Sequence, residues 1–268
     1  MQLCRSVVLF SVVLLCCGAA LGSTGFVGSG LWSNPANWDS GVPGSNDGAY
    51  VLSDATIEDG IDAVCSSLRI GRQWSYAAGS LTMTGGSLAT KIYNNIMIGD
   101  STIDLCEFNL SGGTVSTYIF YVGFGQSGEG LFTMDGGTVN ADEALEVSCH
   151  GLAGGSPYTG NSGKMYLNGG TFNAPSLVLN AGVEDPVLDI TGGELVLDGD
   201  WTVDVVGEGK LLNQWIGDGW LTGYGLSSNV VLSYDSDSNK TSVTAVPEPA
   251  TMVLLGIGAF GLIRRRRA

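Results

Sequence analysis

Charged residues are scarce in this chain, and basic residues are scarcest of all. Asp, Glu, Lys and Arg make up 14% of the 268 residues, with 11 Lys and Arg against 26 Asp and Glu. Soluble domains usually contain about 25% charged residues. Only six of the basic residues lie between residues 23 and 245. Because nucleic-acid binding requires Lys and Arg side chains that neutralise phosphates, we expect no nucleic-acid partner.

Histidine is nearly absent, which limits the catalytic systems that the chain can form. His150 is the only one, and no G-x-S-x-G sequence accompanies it, so a Ser-His-Asp hydrolase is not indicated. Residues 23–245 contain three cysteines, Cys65, Cys106 and Cys149, and no C-x-x-C pair for zinc. An odd number of cysteines cannot all pair internally. We therefore expect buried or unpaired thiols, and neither a metal nor another cofactor.

One acidic segment begins like a calcium-binding loop but does not continue as one. After Asp235, Asp237 and Asn239, an EF-hand needs glycine at its sixth position and glutamate at its twelfth. Lys240 and Val246 occupy those positions, so an ordinary β-turn is expected. Pairs of acidic residues such as Asp142 with Glu143 are expected in loops between strands. No spacing of such pairs indicates the two carboxylates of a glycosidase.

Glycine and apolar residues, by contrast, are abundant. The chain contains 42 glycines, and 44% of its residues are hydrophobic. This content of branched and aromatic side chains is too high for a disordered chain. Many short strands joined by glycine turns account for both features.

The N-terminus has the pattern of a secretory signal peptide. A short segment with one positive charge, at Arg5, precedes an apolar run over residues 6–17. Small residues follow at positions 18–20 and at Gly22, where a signal peptidase would cut. The apolar run is too short to span a bilayer comfortably. Residues 1–22 are therefore predicted to be a signal peptide.

The C-terminus carries three features in a fixed order. The first feature is Pro247, Glu248 and Pro249, and the second is an apolar run over residues 250–263. The third is a cluster of four arginines, Arg264, Arg265, Arg266 and Arg267, which is followed by Ala268. Positive charge stays on the cytoplasmic side of a membrane, so the body would lie outside. A plain C-terminal anchor is one interpretation of this pattern.

Residues 246–268 also closely resemble the PEP-CTERM sorting tail. The resemblance implies a transmembrane helix and recognition by an exosortase, which is a membrane-embedded protease. It also implies delivery to the cell surface or the extracellular polymer, with membrane anchoring by the tail before processing.

Five Gly-Gly pairs, each preceded by an alternating run of apolar and polar residues, recur through the middle of the chain, at 85–86, 112–113, 136–137, 169–170 and 192–193. Their first glycines stand at intervals of 27, 24, 33 and 23 residues, a spacing typical of solenoids. Apolar and polar residues alternate before each pair, as in a strand with one buried face. Stacked units would form one internal file of Leu81, Phe108, Phe132, Met165 and Leu188, and another of Met83, Leu110, Met134, Leu167 and Ile190.

A second short strand is predicted upstream of each pair, at residues 68–70, 96–98, 120–122, 145–147 and 177–179. The distance from this strand to the next Gly-Gly pair is 13 to 15 residues in four units and 22 in one. The excess is a single insertion over residues 149–163. Insertions project from one face of a solenoid and often bind ligands. His150, Tyr158 and Asn161 are therefore candidate binding residues.

These patterns predict an all-β protein, a right-handed parallel β-solenoid (β-helix) of about five coils with N- and C-terminal caps, plus a C-terminal apolar helix. The predicted parts are a signal peptide (1–22), an N-terminal cap (23–64), solenoid repeats (65–200), capping strands with a hairpin (201–245) and the sorting tail (246–268). Caps are expected because the end strands of a solenoid would otherwise expose open edges.

The repeats resemble the Gly-Gly-Thr β-strand repeats of autotransporter-like passenger proteins. Residues 32–38, which begin and end with tryptophan, are followed by Gly41-Val-Pro43 and Asp47-Gly-Ala49. This series is similar to the opening motif of such proteins. The resemblance implies an architecture and leaves the activity open, since function depends on a site and not on a fold.

The sequence thus favours a non-enzymatic exported protein of the cell surface or a biofilm matrix, with a structural, adhesive or polysaccharide-associated role. Its expected partners are an exosortase, the membrane at least transiently, and, as a further candidate, extracellular polysaccharide. Tyr118, Tyr121 and Tyr158 are expected to be exposed and could stack on sugars, although solvated edge positions are the simpler interpretation. The alternative function is a small β-helix carbohydrate-active enzyme, a lyase or hydrolase, which would need convergent carboxylates.

Overall fold

A computed structural model describes residues 22–72, 77–100, 104–124, 128–148, 162–180, 185–206 and 209–247. Over these ranges the protein is an all-β parallel β-solenoid of about six turns, with few helices. The predicted signal peptide, apart from Gly22, and the predicted C-terminal helix lie outside the described residues. Within the described ranges, no helix is long and apolar enough to cross a membrane.

Each turn of the solenoid has three faces, and equivalent strands of successive turns pair in parallel. The first face is an eight-stranded sheet of β2 (Gly30–Leu31), β4 (Asp54–Ile57), β7 (Ser80–Met83), β10 (Leu105–Leu110), β12 (Glu129–Met134), β14 (Ser162–Leu167), β17 (Val187–Ile190) and β19 (Leu221–Gly223).

The second and third faces belong to one sheet, because two long strands, β11 (Thr114–Val122) and β13 (Thr138–Val147), run through both. The second face also contains β5 (Asp62–Cys65), β8 (Ser87–Thr90), β15 (Thr171–Ala174) and β18 (Glu194–Asp198). The third face also contains β1 (Ser23–Phe26), β3 (Gly48–Val51), β6 (Leu68–Ile70), β9 (Ile96–Ile98) and β16 (Ser176–Leu179).

The two internal files predicted from the alternation are confirmed. Strand pairing places their members opposite one another in successive turns, and each is at most 1% exposed. Phe120 and Phe172 join them from the other faces, with the Phe120 ring 4.8 Å from that of Phe132. Fully burying one such side chain contributes about 1.5–3 kcal/mol. The ten side chains of the two files therefore contribute substantially to the fold's stability.

The Gly-Gly pairs lie at the corner between the first and second faces, against the backbone of the preceding turn. A Cβ on Gly112 would collide with the carbonyl of Thr84, and a Cβ on Gly136 would lie 2.6 Å from the carbonyl oxygen of Ser111. Side chains have no space at this corner. The pair recurs because every added turn must approach the one before it this closely.

The structure has about six turns, whereas the Gly-Gly pairs predicted about five. The additional turn includes β4 and β5, inside the segment predicted as the N-terminal cap. Ala55 and Ile57 pair with Leu81 and Met83 and extend the internal files by one position. The corner of this turn has no Gly-Gly pair, because no earlier turn lies against it: a Cβ on Gly60 would meet nothing within 4 Å.

Two buried tryptophans cover the N-terminal end of the core. The rings of Trp32 and Trp38 are 4.7 Å apart and nearly perpendicular, and the Trp38 indole donates a 2.7 Å hydrogen bond to the Trp32 carbonyl. Between them lies a short 3-10 helix, Pro35–Asn37, whose first turn is capped by the side chain of Asn34. The tryptophan motif is therefore a structural cap.

The C-terminal end is covered by helix α1 (Leu212–Gly217), a 3-10 helix (Ser227–Asn229) and a hairpin. Helix α1 buries Leu212 and Trp215, and the Asp204 carboxylate accepts hydrogen bonds from its first amides. The hairpin consists of β20 (Val230–Asp235) and β21 (Lys240–Ala245), and β21 pairs antiparallel with β18. This reversal of direction ends the parallel stack.

Candidate functional site

The predicted binding loop, with His150, Tyr158 and Asn161, lies outside the described residues. The hypothesis that it binds a ligand therefore stays a prediction. Strand β13 ends at Val147 and β14 begins at Ser162, so the insertion joins the third face to the first. Its last two predicted residues, 162 and 163, belong to β14.

A second insertion lies at the corner between the second and third faces. The positions that flank this corner are three residues apart in most turns, as at Cys65 and Leu68. They are six residues apart at Thr90 and Ile96, which pair with Cys65 and Leu68. The additional residues form a tight turn that presents two apolar side chains to solvent: Ile92 is 71% exposed and Tyr93 is 75% exposed.

Side chains from three successive turns meet at this corner. The rings of Tyr93 and Tyr118 lie 5.2 Å apart at an angle of 72°. The Tyr118 hydroxyl donates a 3.2 Å hydrogen bond to the carboxylate of Glu143, which is exposed. Loss of water around the Tyr118 hydroxyl raises its pKa, and the negative charge of Glu143 acts in the same direction. We call Tyr93, Tyr118 and Glu143 the aromatic corner.

The backbone of the aromatic corner is held in an unusual conformation. Tyr93 has φ = 66°, in the left-handed region that bulky residues rarely adopt. The carbonyl of Asn94 accepts hydrogen bonds from the Thr90 and Thr117 hydroxyls and from the amide of Tyr118. Contacts with the next turn therefore fix the insertion in a shape that the Tyr93 backbone would not adopt alone.

Spacing between strands could have revealed this corner in the sequence. The distance from the first glycine of each Gly-Gly pair to the next strand is 11 residues in the unit that begins at Gly85, but 8 in those that begin at Gly112 and Gly169. The opposite interval, from the strand to the following pair, contains the long insertion and does not contain the short one.

The outward side of the third face carries a mixed file of side chains: Tyr50, Arg69, Met97, Tyr121, Glu146 and Val178. The prediction that Tyr121 is exposed is wrong, since only 9% of it is exposed. It packs with Met97, and its ring centroid lies 5.1 Å from that of Phe124. An outward-pointing position is thus buried by its neighbours on the same face. Tyr118 is half-buried, and Tyr158 lies outside the described residues.

A partly buried ion pair lies near one end of this file. The Arg69 guanidinium lies 2.6 Å from the carboxylate of Asp100, whose side chain is almost fully buried. Burial raises the pKa of Asp100, and the positive charge of Arg69 opposes that rise. The Arg72 guanidinium lies over the ring of Tyr50, 4.7 Å from its centroid. Arg69 and Arg72 are therefore both in contact with side chains of the same chain.

Four of the remaining candidate residues, Cys65, Cys106, Asp142 and Glu143, lie on strands. Cys65 and Cys106 are buried and unpaired, as predicted, whereas Cys149 lies outside the described residues. Burial raises the pKa of Cys65 to about 12, which keeps this thiol protonated and unreactive.

Asp142 and Glu143 were expected in a loop but lie within β13, at the position where the pairing of β13 with β11 shifts register. In the described part of the chain, no three His, Cys, Asp or Glu residues are grouped to hold a metal ion.

The predicted β-turn after Asp235 is confirmed. The Asp235 carboxylate accepts hydrogen bonds from the Asp237 amide and the Ser238 hydroxyl. These hydrogen bonds, that of Ser238 foremost, lower the pKa of Asp235. The carboxylate thus stabilises the turn that joins β20 to β21.

The fold ends directly before the proline-rich sequence at the C-terminus. The amide of Val246 donates a 2.9 Å hydrogen bond to the carbonyl of Asn229, and the exposed Pro247 follows. Glu248, Pro249 and the four arginines at 264–267 lie outside the described residues. Residues 245–267 match the family model of the PEP-CTERM protein-sorting motif. This chain carries a PEP-CTERM sorting motif.

The PEP-CTERM motif indicates an exported protein that is processed by an exosortase and is anchored at the membrane before processing. No curated protein and no solved structure matches the chain. The resemblance of the repeats to autotransporter-like Gly-Gly-Thr strands is not confirmed by these comparisons and stays a prediction.

Proposed function

We propose that this chain is a non-enzymatic protein of the cell surface or extracellular matrix that associates with polysaccharide after export. The position of the sorting motif is the main support for export of the solenoid. The last strand ends at Ala245, and the Pro-Glu-Pro sequence of the motif begins two residues later, at Pro247. The whole solenoid therefore precedes the tail and would be delivered outside as one folded body.

The outward side chains support a structural or adhesive role. The Asn168 amide donates to Asp135 of the preceding turn, and Thr191 of the next turn donates to Asn168, each at 2.9 Å. Asn173 and Asn140 pair in the same way on the second face. Such ladders satisfy polar groups with one another along the stack. They stiffen the solenoid without concentrating charge at one point.

The alternative, a small β-helix lyase or hydrolase, would need carboxylates that converge on a substrate. The exposed carboxylate of Glu143 faces Tyr118, and the buried carboxylate of Asp100 faces Arg69. Assays on pectin and alginate, with and without Ca²⁺, separate the two functions. Turnover that disappears when one Asp or Glu is replaced would overturn the non-enzymatic proposal.

Cell fractionation tests the proposed location. Intact protein should be recovered in the surface or matrix fraction, and protein lacking residues 246–268 should be recovered in the periplasm or the medium. Equal distribution of the two proteins would contradict a sorting role for the tail.

The predicted binding loop can be tested in the same preparation. Residues 149–161 would be shortened to the length of the corresponding connection in the other units. Reduced binding of this variant to extracted matrix is expected if His150, Tyr158 and Asn161 contact the ligand. Unchanged binding would remove the loop from the proposal and leave the solenoid in place.

A further inference from the structure

The aromatic corner combines features that a purely structural turn does not need. Its tyrosine ring at position 93 is 75% exposed, in an inserted turn that most other units lack. The inserted turn adds no large apolar side chain to the buried core, because Ile92 and Tyr93 are both exposed. Exposed groups of apolar side chains in soluble proteins often mark interaction sites.

We propose that Tyr93, Tyr118 and Glu143 form a binding site for a neutral polysaccharide. This inference rests on the proposed function and names the class of ligand. Tyrosine offers a flat apolar ring and a polar hydroxyl at low cost in conformational entropy. The C–H face of a sugar ring packs on such a ring, while its hydroxyls need acceptors. The exposed carboxylate of Glu143 supplies acceptors beside the rings.

The arrangement suits a chain of sugars. The three side chains come from three successive turns, which are spaced about 4.8 Å apart along the solenoid axis. The site is therefore an open line of roughly 10 Å and not a closed pocket. An extended polymer can contact such a line with consecutive units.

The negative charge of the protein favours a neutral ligand over an acidic one. Residues 23–245 contain 25 acidic and six basic residues, and Glu143 places a negative charge within the site. Lys91 is the basic residue closest to Tyr93 in the sequence. Its ammonium donates a 3.1 Å hydrogen bond to the side-chain oxygen of Asn46 and is therefore engaged within the chain. A polymer of uronic acids would meet repulsion from the whole body and from Glu143 itself.

The surroundings of Tyr93 hold its backbone in one conformation. A left-handed conformation favours glycine, yet this position holds a bulky aromatic residue. Strain of this kind persists where surrounding contacts enforce it. The Asn94 carbonyl, with three donors, provides that enforcement.

Titration of the purified full chain in detergent, with defined oligosaccharides, tests the site. The probes are cellohexaose, laminarihexaose and mannohexaose as neutral ligands, and an alginate hexamer as the acidic ligand. The parent should bind at least one neutral hexasaccharide and should not bind the alginate hexamer. Tyr93→Ala and Tyr118→Ala should each weaken that binding about five- to tenfold, whereas Tyr93→Phe should retain it.

A matched control exists at the other end of the solenoid. Tyr224 is also exposed, at 42%, and also has a positive φ of 52°. Tyr224→Ala should leave binding unchanged. Tyr93→Gly should weaken binding as much as Tyr93→Ala does, while its melting temperature stays within about 3 °C of the parent, since glycine tolerates this backbone.

Two results would overturn the inference. The first is no binding of any neutral hexasaccharide by the parent, and the second is equal loss of binding in Tyr93→Ala and Tyr224→Ala. If the first result comes with a change of sedimentation in ligand-free Tyr93→Ala, the corner is assigned to a second copy of the chain.

Matrix fractionation of the same variants separates this inference from the proposed function. If the titration fails but the parent remains in the matrix fraction, the aromatic corner fails and the proposed function stands. If the parent itself is absent from that fraction, the proposed function fails, whatever the titration shows.

Discussion

A Cβ atom on Gly113 would lie 2.5 Å from the carbonyl oxygen of Gly86, its counterpart in the preceding turn. Gly113 also has φ = 86°, in the left-handed region. Two separate constraints, backbone conformation and close approach of the next turn, therefore require glycine at this corner. Gly60 has a similar φ of 80° at the equivalent corner of the first turn but no neighbour within 4 Å.

The two glycines allow these constraints to be measured separately. Gly60→Ala should lower the free energy of unfolding by about 1 kcal/mol, from conformational strain alone. Gly113→Ala should cost at least about 2 kcal/mol more, because the added methyl must displace the backbone of the preceding turn. Urea unfolding followed by circular dichroism measures both. Equal losses would show that the turns do not approach as closely as described.

Burial of the internal files predicts a large effect at Leu110. Leu110→Asp places a charge among Met83 and Met134, and should cost about 4 kcal/mol or more. Asn109→Asp is the matched control, since the neighbouring side chain points outward, and should cost less than about 1 kcal/mol. Thermal melts of the two variants compare them directly. Similar melting temperatures would place Leu110 outside the core.

The Arg69–Asp100 pair predicts a pH dependence of stability. Burial raises the pKa of Asp100 in the folded state. The contribution of Asp100 to the free energy of unfolding is therefore most favourable below its unfolded pKa and is lost as pH rises through its folded pKa. The positive charge of Arg69 limits that loss, because it stabilises the ionised carboxylate. Arg69→Met should therefore lower the melting temperature at pH 7 by more than at pH 3, where the carboxyl is neutral.

An asparagine at position 100 provides the control for this prediction. In an Asp100→Asn background, Arg69→Met should have the same effect at pH 7 as at pH 3, because no ionisable group remains at position 100. A pH-dependent difference that persists in this background would assign the effect to another group.

The arginine cluster at 264–267 should set the orientation of the precursor. Replacing all four residues with Gln should disturb surface display, since the positive-inside bias is lost. Replacing them with Lys retains the charge and should preserve display. Whole-cell protease accessibility measures the outcome. Unchanged display of the Gln variant would disprove the charge argument, and loss in both variants would indicate that the arginines are recognised specifically.

The sequence alone determined the repeating part of the fold. Alternation of apolar and polar residues decides which side of a strand each side chain occupies, because successive side chains point to opposite faces. Leu110 could therefore be assigned to the interior without knowledge of its neighbours. The Gly-Gly pairs marked corners for a similarly local reason, and the three C-terminal features of the sorting tail were directly readable.

Tertiary structure decided where adjacent turns place their side chains and what covers them. The first turn needs no Gly-Gly pair because nothing lies against its corner, so counting pairs missed it. Tyr121 points outward by alternation yet is buried, since Met97 and Phe124 cover it. Tyr93, Tyr118 and Glu143 are far apart in sequence and meet because the register between turns brings them together. Register depends on the length of every connection around the solenoid, and a local pattern of alternation contains no information about it.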